Sequence, residues 1–181
     1  TQHRWPQGFR VTKFQVVRAR ILCMTDETMS TADAALAEVP DGGGVVLFDG
    51  VCNFCSWSVR FIYKHDDGAL RFAPLQSAVG TALLERHGLD AEYFDSLVYI
   101  GDDGVFIKSD GAVRIARHLD QPWKAAWMAR AVPTPLRDAG YDAFASARYR
   151  LFGKKDACMV PETELRNRFL DAPTDETSQT V

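Results

Sequence analysis

The stretch VVLFDGVCNFC, residues 45–55, decides the fold of this chain. Its first four residues are apolar and two of them are β-branched, which is typical of a buried strand, and an Asp-Gly pair ends that strand. Apolar residues then recur at helical spacing, so a helix is predicted over 53–65. The two cysteines of the stretch, Cys52 and Cys55, therefore lie at the joint between a strand and a helix.

Working outward, the pattern continues as β-α-β-α-β-β-α. A second strand and helix are predicted over 70–73 and 77–87. Because a helix connects them, the first two strands are expected to be parallel. Strands over 97–100 and 105–107 flank Gly-Asp-Asp-Gly, which predicts an antiparallel hairpin. A helix over about 109–119 completes the unit.

Two or three additional helices are expected towards the C-terminus. Pro122 opens one, over about 123–131, and a Thr-Pro pair opens another at 134. In the second, small and apolar residues recur at helical spacing: Leu136, Gly140, Ala143, Ala147 and Leu151. We expect this stripe to pack on the sheet. The predicted fold class is α/β with a mixed four-stranded sheet.

A single domain is predicted over residues 44–170, with a flexible extension at 1–43 and a disordered tail at 171–181. Residues 1–28 carry a net charge of +3, whereas the remainder carries −6. This change favours a natural translation start at Met29, with an Arg-rich transit peptide as the rival interpretation.

Composition excludes several classes of function. The chain has 181 residues, of which 46% are hydrophobic, so it can bury an ordinary core. Its net charge of −3 provides no broad basic surface for DNA or RNA. The longest apolar run, over residues 125–129, is far shorter than a membrane span of about 20 residues. A cytoplasmic protein without nucleic-acid or membrane partners is expected.

The position of the Cys-x-x-Cys pair points to redox chemistry. A helix amino terminus carries a partial positive charge that stabilises a thiolate, the form that attacks disulfides. Cys52 is nearer that terminus and is expected to be the more exposed, attacking thiol. Cys55, one turn along, is expected to resolve the mixed disulfide. No organic cofactor is required.

Three other interpretations of the pair compete with redox chemistry. A zinc site needs about four ligands, but the pair supplies two and Cys158 and the histidines are scattered, so no metal is expected. An iron-sulfur cluster needs about four thiolates at family spacings and is favoured less. Two inert, buried cysteines are the third interpretation, which fits Cys23 or Cys158 better.

Several separated features resemble the DCC family of thiol-disulfide oxidoreductases. They are Asp49, Cys52 and Cys55, the sequence Ser-Asp-Gly-Ala at 109–112 after the hairpin, Arg-Tyr-Arg-Leu-Phe-Gly at 148–153, and Cys158. The resemblance runs from about Val45 to Cys158. It implies a thioredoxin-like fold and dithiol-disulfide exchange.

The role of Asp49 and the substrate stay open at this stage. Asp49 suits a proton acceptor for a thiol and, equally, a turn or helix cap. The stretch 93–96 lacks the proline that thioredoxin-like proteins usually place before the third strand. The substrate is therefore expected to be either a disulfide-containing protein or a small thiol. A non-catalytic binding module or a metal-holding domain is the alternative function.

Overall fold

The computed structural model describes residues 31–90, 96–154 and 163–170. Its centre is a sheet with the strand order β2-β1-β3-β4. The strands are β1 (Gly44–Phe48), β2 (Leu70–Pro74), β3 (Val98–Gly101) and β4 (Gly104–Ile107). β1 pairs in parallel with β2 and antiparallel with β3, and β3 pairs antiparallel with β4. The predicted mixed four-stranded sheet is confirmed.

Helices cover both faces of this sheet. Residues 31–37 are helical and are named α1. The others are α2 (Asn53–His65), α3 (Ala78–Arg86), α4 (Lys108–Ala116), a 3-10 helix (Trp123–Ala131), α5 (Thr134–Phe152) and α6 (Thr163–Arg166). The order from β1 to α4 is the predicted β-α-β-α-β-β-α, and the architecture is thioredoxin-like. Among the described residues, no helix is long and apolar enough to cross a membrane.

β1 lies at the centre of the core, and all five of its residues are buried. Val45 and Leu47 belong to the cluster that includes α1 and α3, whereas Val46 and Phe48 belong to the cluster formed with α2 and α4. Coverage on both faces explains why this strand is continuously apolar instead of alternating. Asp49, which follows this strand, therefore also lies inside the protein.

The structure corrects the expected flexible extension over 1–43 for the part that it describes, residues 31–43. Residues 31–37 form a helix, and its Ala32 and Ala35 are 0% and 4% exposed within the core. Ala32 and Ala35 are at helical spacing, and both belong to the core cluster that contains Val45 and Leu47. The ordered domain therefore includes α1. Residues 1–30 and 171–181 lie outside the described residues.

The stripe expected to bury α5 is also corrected. Leu136 and Leu151, at its two ends, are 68% and 66% exposed. The side facing the protein instead carries Tyr141, Phe144 and Arg148. The prediction assumed that only small and apolar residues of α5 face the protein. Arg148 can face it as well, because its charge is paired with Asp49, which is far away in the sequence.

Candidate active site

The Cys-x-x-Cys pair starts α2. Cys52 is the N-cap residue, with extended backbone angles, and its Sγ accepts a hydrogen bond of 3.4 Å from the backbone N–H of Cys55. The first turn of α2 contains no acidic residue that would oppose a negative charge there. Negative charge on the Cys52 sulfur is thus stabilised by a backbone donor and by the helix amino terminus.

The relative exposure of the two cysteines is the reverse of the sequence-based expectation. Cys52 is 0% exposed, whereas Cys55 is partly exposed. The chain that leaves α5 lies against Cys52, with an isolated antiparallel bridge between Cys52 and Lys154. The Asn53 side chain holds this crossing by donating a 2.9 Å hydrogen bond to the carbonyl of Phe152.

Cys55 holds its proton firmly in the reduced protein. Burial raises the pKa of the Cys55 thiol well above its ordinary value of 9.0. A hydrogen bond to the Cys52 sulfur and the negative charges of Cys52 and Asp49 raise the pKa further, while the positive charge of Arg148 acts in the opposite sense. The reduced pair is therefore arranged as a Cys55 thiol beside a Cys52 acceptor.

This raised pKa predicts a loss of stability in alkali. The folded reduced protein binds the Cys55 proton more tightly than the unfolded chain does. The resulting stabilisation is complete below the ordinary pKa of 9.0 and is lost as the pH rises above it. We expect the free energy of unfolding to fall more steeply between about pH 8 and about pH 10 in the reduced wild type than in Cys55→Ala. Denaturant titrations measure both slopes, and equal slopes would contradict this assignment.

Asp49, at the end of β1, is 3% exposed and surrounded by donors. Its Oδ1 accepts hydrogen bonds from the Val51 backbone at 3.1 Å and from the Gln76 side chain at 2.9 Å. Its Oδ2 accepts one from the Tyr149 hydroxyl and lies 3.7 Å from the Arg148 guanidinium. The carboxylate thereby connects the cysteine turn to α5.

Arg148 is a buried member of the site, although its basic neighbourhood in the sequence favours a solvated helix end. Its side chain is 8% exposed and pairs with Asp49. It also donates hydrogen bonds to the Tyr149 hydroxyl at 3.2 Å and to the carbonyl of Ala145 at 3.3 Å. Burial raises the pKa of Tyr149, and its hydrogen bond to Asp49 contributes in the same direction. Tyr149 is therefore held as a neutral donor.

A cavity of about 340 Å³ opens beside Cys55. Side chains from α2, α4, the 3-10 helix and α5 form its walls. Asp49 and Arg148 contribute to the lining, whereas Cys52 is not among the described residues that reach it. Cys55 is thus the sulfur of the pair that faces this space.

Comparison with known proteins places these features in a family. A family model described as DCC1-like thiol-disulfide oxidoreductase matches residues 46–154. The chain belongs to the DCC1-like thiol-disulfide oxidoreductase family. The matched span contains Asp49, both cysteines of the pair and Arg148. The DCC resemblance in the sequence is confirmed, and membership supports thiol-disulfide oxidoreductase activity at the level of the family.

Two proteins are similar to this chain over most of the matched span. YuxK of Bacillus subtilis (strain 168), described as an uncharacterized protein, is 47% identical over 127 residues, which cover 70% of this chain and 93% of YuxK. A DCC family protein of Arabidopsis thaliana, described as chloroplastic, is 37% identical over 116 residues, covering 63% of this chain and 67% of the relative. No solved structure matches the chain.

Sequence reasoning missed part of the site of this DCC1-like protein. Gln76, Arg148 and Tyr149 bind Asp49 but were not among the predicted site residues. The available signal was the Arg-Tyr pair inside the late family-like motif at 148–153. Cys23 and Cys158 lie outside the described residues. Within the part of the chain that the structure describes, no three His, Cys, Asp or Glu side chains are grouped to hold a metal ion.

Proposed function

We propose that the protein exchanges disulfides through Cys52 and Cys55. The observation that supports this best is the position of the Cys52 sulfur, which caps α2 and accepts the Cys55 N–H. The spacing adds support, because cysteines one helical turn apart can bring their sulfurs within reach of a reversible bond. Family membership agrees with the same activity.

The order of steps follows from access and charge. In the oxidised protein, an incoming thiolate attacks the accessible Cys55 sulfur, the Cys52–Cys55 bond breaks, and Cys52 leaves as a thiolate. A stabilised thiolate is the better leaving group. This order differs from the sequence-based expectation, in which Cys52 attacks and Cys55 resolves, because that expectation required Cys52 to be the more exposed sulfur.

The reverse direction reduces a substrate disulfide. Cys55 attacks one substrate sulfur while its proton passes to Cys52, and the first substrate thiolate is released. That thiolate takes the proton from Cys52. The Cys52 thiolate then attacks the Cys55 sulfur, forms the intramolecular disulfide and releases the second substrate thiolate. Two electrons pass from the dithiol to the substrate, and the net charge is unchanged.

A redox titration tests the proposal. In thiol-disulfide buffers of set potential, we expect a reversible two-electron couple between about −120 and −270 mV, the range of proteins with this motif. Mass spectrometry should assign the disulfide to Cys52 and Cys55. A chain that stays reduced over this range would instead be a non-catalytic binding module, which is the alternative function.

The proposal also covers the class of substrate and the cellular location of the protein. A disulfide-containing protein and a small thiol both suit an accessible Cys55. We place the protein in the cytoplasm, since its four cysteines are too few for the disulfide framework of a small secreted protein. The chloroplastic description of the plant relative applies to that protein.

A further inference from the structure

The cavity beside Cys55 has the size of a small-molecule site. Its volume is about 340 Å³. An apolar cavity of about 150 Å³ is enough to bind benzene, so this one has room for a molecule of about two rings. Its size also falls within the usual range for ligand sites, about 300 to 1,000 Å³.

The lining of the cavity is mainly apolar and has an aromatic side. Phe54 lies edge-on to Phe144, with ring centroids 4.7 Å apart, and Phe61 lies edge-on to Trp123 at 4.9 Å. Aliphatic side chains complete the lining: Val59, Ile62, Leu97, Ile115 and Leu119. Rings in the cavity would meet aromatic edges and faces, which aromatic ligands prefer.

The charges in the lining cancel. Asp49 and Arg148 are the charged side chains among the described lining residues, and they pair at 3.7 Å with exposures of 3% and 8%. An ionised ligand would lose its hydration here without gaining an opposite charge, which disfavours its binding. The cavity therefore selects against charged thiols and disulfides.

We propose that this cavity binds an uncharged, ring-containing small-molecule disulfide of about two-ring size and presents its sulfur to Cys55. The inference rests on the proposed function and names its substrate class. Cys55 reduces the bound disulfide by the sequence of steps given above. The dithiol is oxidised, and the substrate leaves as one thiol and one thiolate.

Two chromogenic aromatic disulfides test the charge selection. One is the neutral 4,4′-dithiodipyridine, and the other is the dianionic 5,5′-dithiobis(2-nitrobenzoate). Each rate with the reduced protein is divided by the rate of the same probe with free glutathione, which removes the difference in intrinsic reactivity. We expect the neutral probe to be favoured about tenfold or more. Equal ratios, or a preference for the dianion, would overturn the proposal.

A matched pair of variants connects this selection to the cavity. Ala112 is exposed and lines the cavity, whereas Ala139 is exposed on α5 and is not among the lining residues. We expect Ala112→Phe to remove most of the preference for the neutral probe and Ala139→Phe to retain it. If Ala112→Phe lowers the melting temperature, Ala126→Phe fills the cavity from the 3-10 helix instead. A preference that survives both cavity variants would contradict the inference.

A binding measurement on a variant that cannot exchange disulfides separates this inference from the proposed function. The uncharged fluorophore N-phenyl-1-naphthylamine is titrated into the Cys52→Ser/Cys55→Ser variant, where no exchange is possible. We expect saturable binding that weakens at least about fivefold when Ala112→Phe is added.

The outcomes distinguish the two proposals. An intact redox couple with no fluorophore binding would refute the cavity as the substrate site and leave disulfide exchange standing. Fluorophore binding without a redox couple would refute the exchange reaction and retain a ring-binding cavity. The small-molecule substrate would also be refuted if the protein reduced a disulfide-bonded polypeptide faster than the neutral probe and Ala112→Phe did not change that rate.

Discussion

Cys52→Ser is expected to reduce the rate of complete disulfide exchange by about a thousandfold or more, because one of the two electron-carrying sulfurs is lost. The remaining Cys55 can still form a mixed disulfide, since it is the partly exposed sulfur beside the cavity. No second thiol then releases the substrate, so this species should accumulate. The measurement is turnover of a disulfide substrate together with intact-mass analysis of the trapped protein.

The matched variant, Cys55→Ser, distinguishes the two possible orders of attack. It should also stop turnover, but we expect little trapped substrate, because Cys52 is 0% exposed beneath the Lys154 crossing. Both variants are made in a Cys23→Ser/Cys158→Ser background, so that only the motif sulfurs react. Stronger trapping by Cys55→Ser than by Cys52→Ser would restore Cys52 as the attacking thiol, as the sequence alone favours.

Asp49→Asn is expected to destabilise the protein by about 3–5 kcal/mol, because it leaves the charge of Arg148 buried without its opposite charge. For a chain of this size, that loss corresponds to a fall in melting temperature of roughly 10 °C. Asp142→Asn is the matched control, since it removes a 2.9 Å pair with Lys108 in which Asp142 is 53% exposed. The control should cost less than about 1 kcal/mol.

A second substitution separates charge burial from other effects of Asp49. In the double variant Asp49→Asn/Arg148→Met, no buried charge is left behind, so part of the lost stability should return. Thermal melts of the four proteins form a double-mutant cycle. If Arg148→Met and Asp49→Asn instead add independently, the ion pair is not what holds α5 to the cysteine turn.

The single variant Asp49→Asn also tests a proton-transfer role for Asp49. Both carboxylate oxygens already accept hydrogen bonds, which favours a structural role in the turn. We therefore expect the folded fraction of Asp49→Asn to keep the wild-type dependence of exchange rate on pH. A reshaped pH profile with an unchanged melting temperature would identify Asp49 as a proton acceptor.

The sequence by itself determined the sheet and the position of the dithiol. The apolar run before Asp49 predicted a buried strand, and the turn Gly-Asp-Asp-Gly predicted the hairpin that pairs Gly101 with Gly104. Both signals are local, because strand burial and turn geometry depend on residues a few positions apart. The placement of Cys52 at the start of α2 follows from the same local pattern.

Only the tertiary structure decided which sulfur is accessible and what holds Asp49. The crossing that covers Cys52 brings Lys154 from about a hundred residues away, and Arg148 reaches Asp49 over a similar separation. A single sequence contains no periodicity that reports such contacts. An arginine on a helix also reads as a surface residue, since burying its charge is favourable only when an ionised partner is already in place. Asp49, at the end of β1, is that partner. The buried face of α5 and the shape of the site therefore depend on the packing of α5 against the cysteine turn, which is far away in the sequence.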